Sequence, residues 1–170
     1  MIEFPLVTER LLVRPMEPSD EDALHEVWSH PDVLASLGHA GPWPRAASSD
    51  RLRTKMAHQE RHGFAVWAVV ERDSGRLVGE TGLQLLEGGP DVEVGWRVHP
   101  DLQGRGYATE AAGAAIAAGF ARLGLERIVA VVEPGNAASR RVTEKLGMTP
   151  VGPARHYGRD MVLYEISGSG

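Results

Sequence analysis

The stretch Gln103-Gly104-Arg105-Gly106-Tyr107-Ala108 decides the fold, because its two glycines lie between a strand pattern and a helix pattern. Before it, residues 92–98 alternate apolar with polar or small side chains, which is the period of a strand with one buried face. After it, residues 109–123 carry apolar side chains at helical spacing. The glycines therefore form a strand-to-helix turn. Glycine leaves room for a ligand, and the free amides of a helix's first turn favour an anion such as phosphate.

Three kinds of glycine-rich phosphate loop compete for this stretch. A dinucleotide fingerprint needs Gly-x-Gly-x-x-Gly, but Thr109 stands where the third glycine is required. A nucleotide-triphosphate loop needs Gly-Lys-Ser/Thr, which the sequence lacks. The stretch instead resembles the Gln/Arg-x-x-Gly-x-Gly/Ala signature of the GNAT acetyltransferase superfamily, with Gln103, Gly106 and Ala108 at its fixed positions.

Composition limits the classes of protein to consider. A chain of 170 residues with 42% hydrophobic residues predicts a single domain over residues 1–166, followed by a flexible tail at 167–170. The net charge of −5 gives no basic footprint for nucleic acid or a membrane surface, and favours cationic small molecules only weakly. The absence of cysteine excludes disulfides, thiolate metal sites and a cysteine nucleophile. No basic start followed by a long apolar run is present, so a cytoplasmic location is expected.

The remaining patterns give an order of elements. Helices are predicted at residues 19–29, 48–62, 109–123 and 137–146, with a further turn or two at 32–37. Strands are predicted at residues 11–15, 64–71, 77–86, 92–98, 127–132, 149–157 and 160–166. The order β-α-α-β-β-β-α-β-α-β-β resembles the GNAT fold across essentially the whole chain. That fold class is α/β (α+β), with a mixed, largely antiparallel central sheet and helices on both faces.

Further motifs resemble one branch of the superfamily, the branch that contains the ribosomal-protein N-terminal acetyltransferases. Asn136-x-x-Ser139 followed by Glu144-Lys145-Leu146-Gly147-Met148 is similar to the Asn-x-x-Ser…Glu-Lys-Leu-Gly-Phe segment of that branch. The opening from Thr8 to Pro15 and the segment from Tyr107 to Ala111 also look like it. Four matches in the right order identify the chain as a member of the superfamily.

The resemblance implies transfer of an acetyl group from acetyl-CoA to a primary amine by direct attack on the thioester. The amine acceptor is either a protein N-terminus or a small molecule, and the protein is a monomer or a homodimer. No nucleic acid, membrane or metal is expected to take part. The alternative from another class is a non-catalytic acyl-CoA-binding or regulatory module, because Thr143 stands where many members have tyrosine before Glu-Lys-Leu-Gly.

The resemblance also assigns cofactor contacts. Backbone groups of Trp96 and Val98 would bond the pantetheine arm like an added strand. Asn136 is expected to bond a pantetheine amide, to cap the next helix, or both. Arg140 is either a phosphate contact or a solvated surface charge. The pyrophosphate would be held by a continuous set of loop residues: Gln103, Gly104, Arg105, Gly106, Tyr107, Ala108 and Thr109.

The chemistry needs a base for the ammonium and a proton donor for the leaving thiolate. Glu93 is the first candidate base; Glu80 is the second, because hairpin pairing with an index sum near 178 places it opposite Val98. For both, an exposed strand carboxylate is the alternative. By resemblance Ser139 is the proton donor, with a helix-surface serine as the alternative.

Several other residues have structural interpretations. Glu110 in the helix's first turn favours the dipole or makes a structural bond. The pair His58 and His62 lacks the glutamate of the zinc-protease pattern, so no metal site is predicted. Segments that border the acceptor cleft in related folds contain Trp43, His156 and Tyr157, for each of which packing is the simpler interpretation.

Overall fold

A single mixed sheet of eight strands forms the centre of the protein in the computed structural model, which describes residues 1–36 and 38–168. The sheet order is β1-β2-β3-β4-β5-β6-β8-β7, and every neighbouring pair is antiparallel except β5 and β6. The strands are β1 (Leu6–Val7), β2 (Leu11–Arg14), β3 (Val66–Glu71), β4 (Leu77–Leu85), β5 (Val92–Val98), β6 (Arg127–Val132), β7 (Thr149–His156) and β8 (Arg159–Ser167). The predicted mixed, largely antiparallel sheet is confirmed.

Helices cover both faces of the sheet, as predicted. They are α1 (Glu21–Ser29), α2 (Pro31–Ser36), α3 (Arg45–His62), α4 (Tyr107–Leu123) and α5 (Ala137–Lys145). On one face α4 packs against β4 and β5, with α5 beside it. On the other face α1 and α3 pack together over β3 and β4.

The two faces bury different kinds of side chain. Under α4 the core contains β-branched and leucine side chains of the sheet, and the helix contributes alanines that are almost fully buried, such as Ala112 and Ala115. Small side chains let the helix approach closely: a Cβ added at Gly119 would lie 2.9 Å from Ile128 Cδ1. Under α1 and α3 the core is smaller and centres on Trp28, which is fully buried.

Several elements differ from the sequence prediction by a few residues at their ends, and one short strand was not predicted. The two-residue strand β1 was not predicted, because two residues are too few to display an alternating pattern. The helix predicted from residue 48 begins at Arg45, directly after Pro44. The predicted tail starts too early: Ser167 ends β8, and the Gly168 amide donates to the Glu126 carbonyl at 3.0 Å. The last two tail residues and the end of the predicted 32–37 turn lie outside the described residues.

The register of the β4–β5 hairpin corrects one prediction. Glu80 lies opposite Arg97, and Val98 lies opposite Gly79 instead. The sequence could not give this register, because the connection contains an irregular 3-10 turn, closed by the Leu86 amide donating to the Asp91 carbonyl at 2.9 Å. Residues directly opposite each other share a face of the sheet, so the one-residue shift places Glu80 beside a guanidinium rather than an apolar side chain.

Candidate active site

The glycine-rich loop between β5 and α4 presents unbonded backbone amides. Gly104 and Gly106 have φ angles of 79° and 82°, in the left-handed region that favours glycine. The first bond at the start of α4 runs from the Glu110 amide to the Gly106 carbonyl at 3.1 Å. Amides before that bond have no helical partner, and the residues that carry them all line a cleft: Tyr107, Ala108 and Thr109. The geometry is that of an anion site at a helix N-terminus.

The loop is fixed from behind by the N-terminal segment. The Glu110 carboxylate accepts hydrogen bonds from Thr8 Oγ1 at 2.6 Å and from the Arg10 amide and Nε at 2.8 and 2.7 Å. Arg10 Nη1 also donates to the Arg105 carbonyl at 2.8 Å. Burial alone would raise the pKa of Glu110, but these donors hold it below its ordinary 4.5. Glu110 therefore makes the structural bonds that the sequence suggested, and they hold the first turn of α4 in place.

Two side chains of the loop turn away from the cleft. The Tyr107 hydroxyl donates to the Glu71 carboxylate at the end of β3. The Arg105 side chain is exposed and does not line the cleft. Gln103 does line it, and its Nε2 lies 3.4 Å from the Val98 carbonyl. The loop therefore offers the cleft backbone amides rather than the charge that was expected from Arg105.

β5 and β6 separate just after they meet. Their register contains one pair, Glu93 with Val129, whereas β5 pairs with β4 along its whole length. Beyond Glu93 the β6-facing edge of β5 opens into the cleft, which both Trp96 and Val98 line. A ligand that carries amide groups can bond such an edge as an added strand would.

The cleft has a volume of about 970 Å³ and reaches both faces of the sheet. The glycine-rich loop and the start of α5 border it on one face, and residues of α3 and β4 border it on the other. Its two halves meet where β5 and β6 diverge. The space therefore suits a long ligand that enters between the strands and a second ligand that approaches from the α3 face.

The start of α5 brings two predicted residues together. Asn136 Oδ1 accepts a hydrogen bond from the Ser139 amide at 3.0 Å, so Asn136 caps the helix while lining the cleft. Ser139 also lines the cleft. Thr143 is fully buried, and its hydroxyl donates to the Arg140 carbonyl at 2.7 Å, away from the cleft.

The structure does not bring Arg140 to the cleft. Its side chain borders a separate groove of about 320 Å³ together with Glu144 and Pro150. Arg141 and Lys145 line the cleft instead. The sequence could not choose between the adjacent arginines, because both lie on the polar side of a short helix.

Glu93 lies at the point where the two strands part. Only 6% of the residue is exposed, and its Oε2 accepts hydrogen bonds from the Tyr157 hydroxyl at 2.5 Å and from Gln84 Nε2 at 3.0 Å. Burial and this contact raise the pKa of Tyr157 above its usual 10, so its hydroxyl stays a donor. Glu93 is thus a buried carboxylate that faces the cleft and is oriented by two side chains.

Glu80, the second candidate base, is bound by cations. It is 3% exposed, pairs with Arg97, and lies 3.1 Å from Arg51 Nη2. Burial would raise its pKa, but Arg51, Arg97 and Lys55 together lower it to about 2. A carboxylate with so low a pKa is a poor proton acceptor near neutral pH. The geometry therefore favours Glu93 over Glu80 as a base.

Tyr157 occupies a strained turn. It has a φ of 54° in the two-residue loop between β7 and β8, where a residue such as asparagine is normally preferred. Glu87, in the β4–β5 connection, holds this turn by accepting from the Tyr157 amide and contacting His156 Nδ1, each at 2.8 Å. From the sequence, Tyr157 was expected in a segment that borders the acceptor cleft, with packing as the simpler interpretation; the structure places it in the cleft, bonded to Glu93.

Sequence reasoning missed four cleft residues on the α3 face. They are Arg51, Lys55, Gln84 and Arg97, which come from one helix and two strands. No local motif joins them, and only the fold brings them together. Trp43 does not line the cleft; its Nε1 donates to Ser48 Oγ at 3.0 Å, which is a packing role.

The histidine pair of α3 makes structural contacts. His58 Nδ1 lies 2.8 Å from the Phe64 carbonyl, and its ring stacks on His62 with centroids 4.4 Å apart. Residues 1–36 and 38–168 contain no group of three or more side chains arranged to hold a metal ion. Within the same ranges, no helix combines the length and apolar character needed to cross a membrane.

Comparison with known proteins agrees with this geometry. YnaD, an uncharacterized N-acetyltransferase of Bacillus subtilis, is 32% identical over 143 residues, which cover 84% of this chain and 81% of YnaD. YdaF, a putative ribosomal N-acetyltransferase of the same species, is 27% identical over 94% of this chain and 92% of its own.

Solved structures show the same fold. A GNAT-family acetyltransferase from Bacillus anthracis superposes with a TM-score of 0.81 at 30% identity, covering 95% of this chain and 96% of that one. RimJ of Mycobacterium smegmatis, solved in complex with CoA-disulfide, superposes with a TM-score of 0.74 at 23% identity, covering 96% of this chain and 84% of RimJ. Residues 10–149 match the acetyltransferase (GNAT) domain. With its glycine-rich loop, divided strands and sheet order, the chain belongs to the GNAT family of acetyltransferases and resembles the branch that contains ribosomal-protein acetyltransferases.

Proposed function

We propose that this acetyltransferase moves the acetyl group of acetyl-CoA to a primary amine by direct attack on the thioester, with Glu93 as the base. The observation that carries the proposal is the position of Glu93 at the one β5–β6 pair. The two halves of the cleft meet there: the cofactor half, beside the glycine-rich loop and α5, and the acceptor half, beside α3 and β4. A buried carboxylate there can take a proton from an amine, directly or through a water.

The cofactor is proposed to run along the divided strands. The amides of the first turn of α4 would bind the pyrophosphate, and the open edge at Trp96 and Val98 would bond the pantetheine arm. Asn136 would add a side-chain contact beside its capping role. Arg141 is a better placed partner for a CoA phosphate than Arg140, because it lines the cleft.

The proposed reaction forms one bond and breaks one. The amine nitrogen bonds to the acetyl carbon, the carbon–sulfur bond breaks, and the proton of the amine passes to Glu93. The leaving thiolate takes the proton of the Ser139 hydroxyl. The serine then regains a proton from solvent, and Glu93 releases its proton to solvent. Thr143 cannot supply that proton, because its hydroxyl is already bonded to a backbone carbonyl inside α5.

The test is thiol release from acetyl-CoA in the presence of a panel of primary amines: peptides with free N-termini, amino sugars and polyamines. We expect thiol release that depends on an acceptor. Calorimetry in parallel gives the dissociation constant of CoA and so shows whether the cofactor binds. Binding of CoA with no acceptor-dependent release from any member of the panel would contradict the proposal and favour a non-catalytic acyl-CoA-binding module.

A further inference from the structure

The charge of the cleft is opposite in sign to the charge of the whole chain. The chain has 18 basic and 23 acidic residues, a net charge of −5. Among the described residues, those lining the cleft include six basic and four acidic side chains. The basic ones are Arg51, Lys55, Arg97, Arg141, Lys145 and Arg159; the acidic ones are Asp32, Glu80, Glu93 and Glu133.

Part of this positive charge lies on the acceptor side of the sheet. Arg51 and Lys55 belong to α3 and border the face opposite α4, whose first turn is the proposed pyrophosphate site. Arg97 shares that face, because it lies opposite Glu80 and pairs with it. A pyrophosphate held by the α4 amides therefore does not neutralise these three cations on the other face.

The carboxylates on this face do not balance the cations. Glu80 is the carboxylate within ion-pairing distance of both Arg51 and Arg97. The hydrogen bond of Lys55 Nζ goes to a neutral atom, Gln84 Oε1, at 2.7 Å. Glu93, the other carboxylate nearby, accepts from neutral donors. With Glu93 counted, Arg51, Lys55 and Arg97 still exceed the two carboxylates by one positive charge, and the group borders open space.

We propose that the acceptor carries an anionic group, a carboxylate or a phosphate, that binds against Lys55 and Arg51 while its amine faces Glu93. The inference rests on the proposed function, since it names the acceptor class of the same site. Gln84 bonds to Lys55 with one end of its amide and to Glu93 with the other. Lys55 Nζ and Glu93 Oε2 therefore lie at most about 8 Å apart, the span of two hydrogen bonds and one amide, so one small acceptor can reach both.

The pKa of Lys55 gives the proposed anion binding a pH dependence. Burial, together with Arg51 and Arg97, lowers this pKa from 10.5 to about 8, against the opposing effects of Glu80 and Glu93. An anion bound beside the ammonium would favour its charged form. The preference for anionic acceptors is accordingly greatest below pH 8, where Lys55 is charged.

The test compares acceptors that differ only in the anion: β-alanine with β-alaninamide, glucosamine 6-phosphate with glucosamine, and a peptide amide beginning Ser-Asp with one beginning Ser-Asn. We expect kcat/KM to be about 10-fold to 100-fold higher for the anionic member, the size of one hydrogen bond between charged groups. The three pairs show whether the anion is a small carboxylate, a phosphate or an acidic side chain of a peptide. Calorimetry of the same pairs with the CoA complex gives the ratio of their binding affinities in the absence of turnover.

The matched variants are Lys55→Met, which keeps the length of the apolar stem, and Arg53→Gln, an exposed cation on the same helix that pairs with Asp50. Lys55→Met should reduce the anionic-to-neutral ratio to near one, and Arg53→Gln should leave it unchanged. Turnover with no preference in the wild-type protein, or a preference that survives in folded Lys55→Met, would overturn the inference alone. CoA binding without turnover on any acceptor would instead overturn the proposed function.

Discussion

The two halves of the cleft are built in different ways. The proposed cofactor half consists mainly of backbone amides and an open strand edge, supplied by the continuous segment from Val92 to Thr109, with the start of α5 beside it. The acceptor half consists of charged side chains from α3, β4, β5 and the β7–β8 turn, which are far apart in sequence. A ligand common to a whole family can be bound by backbone, whereas selection among acceptors needs side chains that differ from one member to the next. Substitutions in one half should therefore change cofactor binding, and substitutions in the other half should change turnover or the choice of acceptor.

The largest effect is expected from Glu93→Gln, which keeps the shape of the side chain and its contacts with Gln84 and Tyr157. Removal of a general base costs about 10²-fold to 10⁴-fold in turnover. We expect kcat to fall by that factor while the dissociation constant of acetyl-CoA stays unchanged, as measured by steady-state kinetics and calorimetry. An unchanged kcat would remove Glu93 from the mechanism.

Glu80→Gln should act on stability. Removing the carboxylate leaves Arg97 and Arg51 in a mostly buried site without their anion, which costs about 3–5 kcal/mol of unfolding free energy. Urea unfolding measures it, with the exposed Glu60→Gln on α3 as the control. A loss of turnover at full stability would mean that Glu80, and not Glu93, is the base.

The same variant has a defined pH dependence. Because the fold lowers the pKa of Glu80 from 4.5 to about 2, its contribution to stability is complete above pH 4.5 and is lost as the pH falls toward 2. The difference in unfolding free energy between wild type and Glu80→Gln should therefore become smaller as the pH falls from 4.5 toward 2. A constant difference would contradict the assignment of the ion pairs.

Ser139→Ala tests the proton donor. We expect kcat to fall by about 10-fold to 100-fold, at or below the lower end of the range for acid catalysis, because a thiol with a pKa near 8.5 leaves readily without help. Binding of acetyl-CoA should change little, since Asn136 bonds to the backbone amide of Ser139 and not to its hydroxyl. Unchanged turnover would leave protonation of the thiolate to solvent.

The smallest effect is expected in the cofactor half, from Gly106→Ala. A left-handed conformation costs a residue with a side chain about 1–2 kcal/mol, so CoA should bind about 5-fold to 30-fold more weakly as the loop moves to relieve it. Gly75→Ala is the control, because Gly75 has a similar φ of 69° in the β3–β4 turn and open space around it. Equal CoA affinity in both variants would show that the loop geometry is not needed.

The strands and the glycine-rich turn beside the proposed cofactor site were predicted well because their information is local, although Arg105 and Arg140 do not line the cleft. The bounds of β5 and β6 were predicted to the residue. The glycines at 104 and 106 were predicted to form a turn, and both have left-handed φ angles. The alternation of β5 follows directly from one buried face. No contact with residues far away in the sequence is needed to predict that α4 begins after this loop.

The acceptor half could not be predicted in the same way. α3 buries only Ser48 and Leu52, so its sequence pattern is weak, and it places Arg51 and Lys55 at the cleft. The partner of Glu80 depended on an irregular turn at 86–88, in which Glu87 has a φ of 49°. One residue of register decided whether Glu80 met Val98 or Arg97.

The most direct test of the division into two halves is a crystal structure with CoA and β-alanine bound. We predict the pyrophosphate on the amides of Tyr107 to Thr109, the amine of β-alanine within hydrogen-bond reach of Glu93 or of a water bound to it, and the carboxylate of β-alanine at Lys55. An arrangement with the CoA phosphates at Arg51 and Lys55, on the α3 face, would contradict the assignment of these cations to the acceptor.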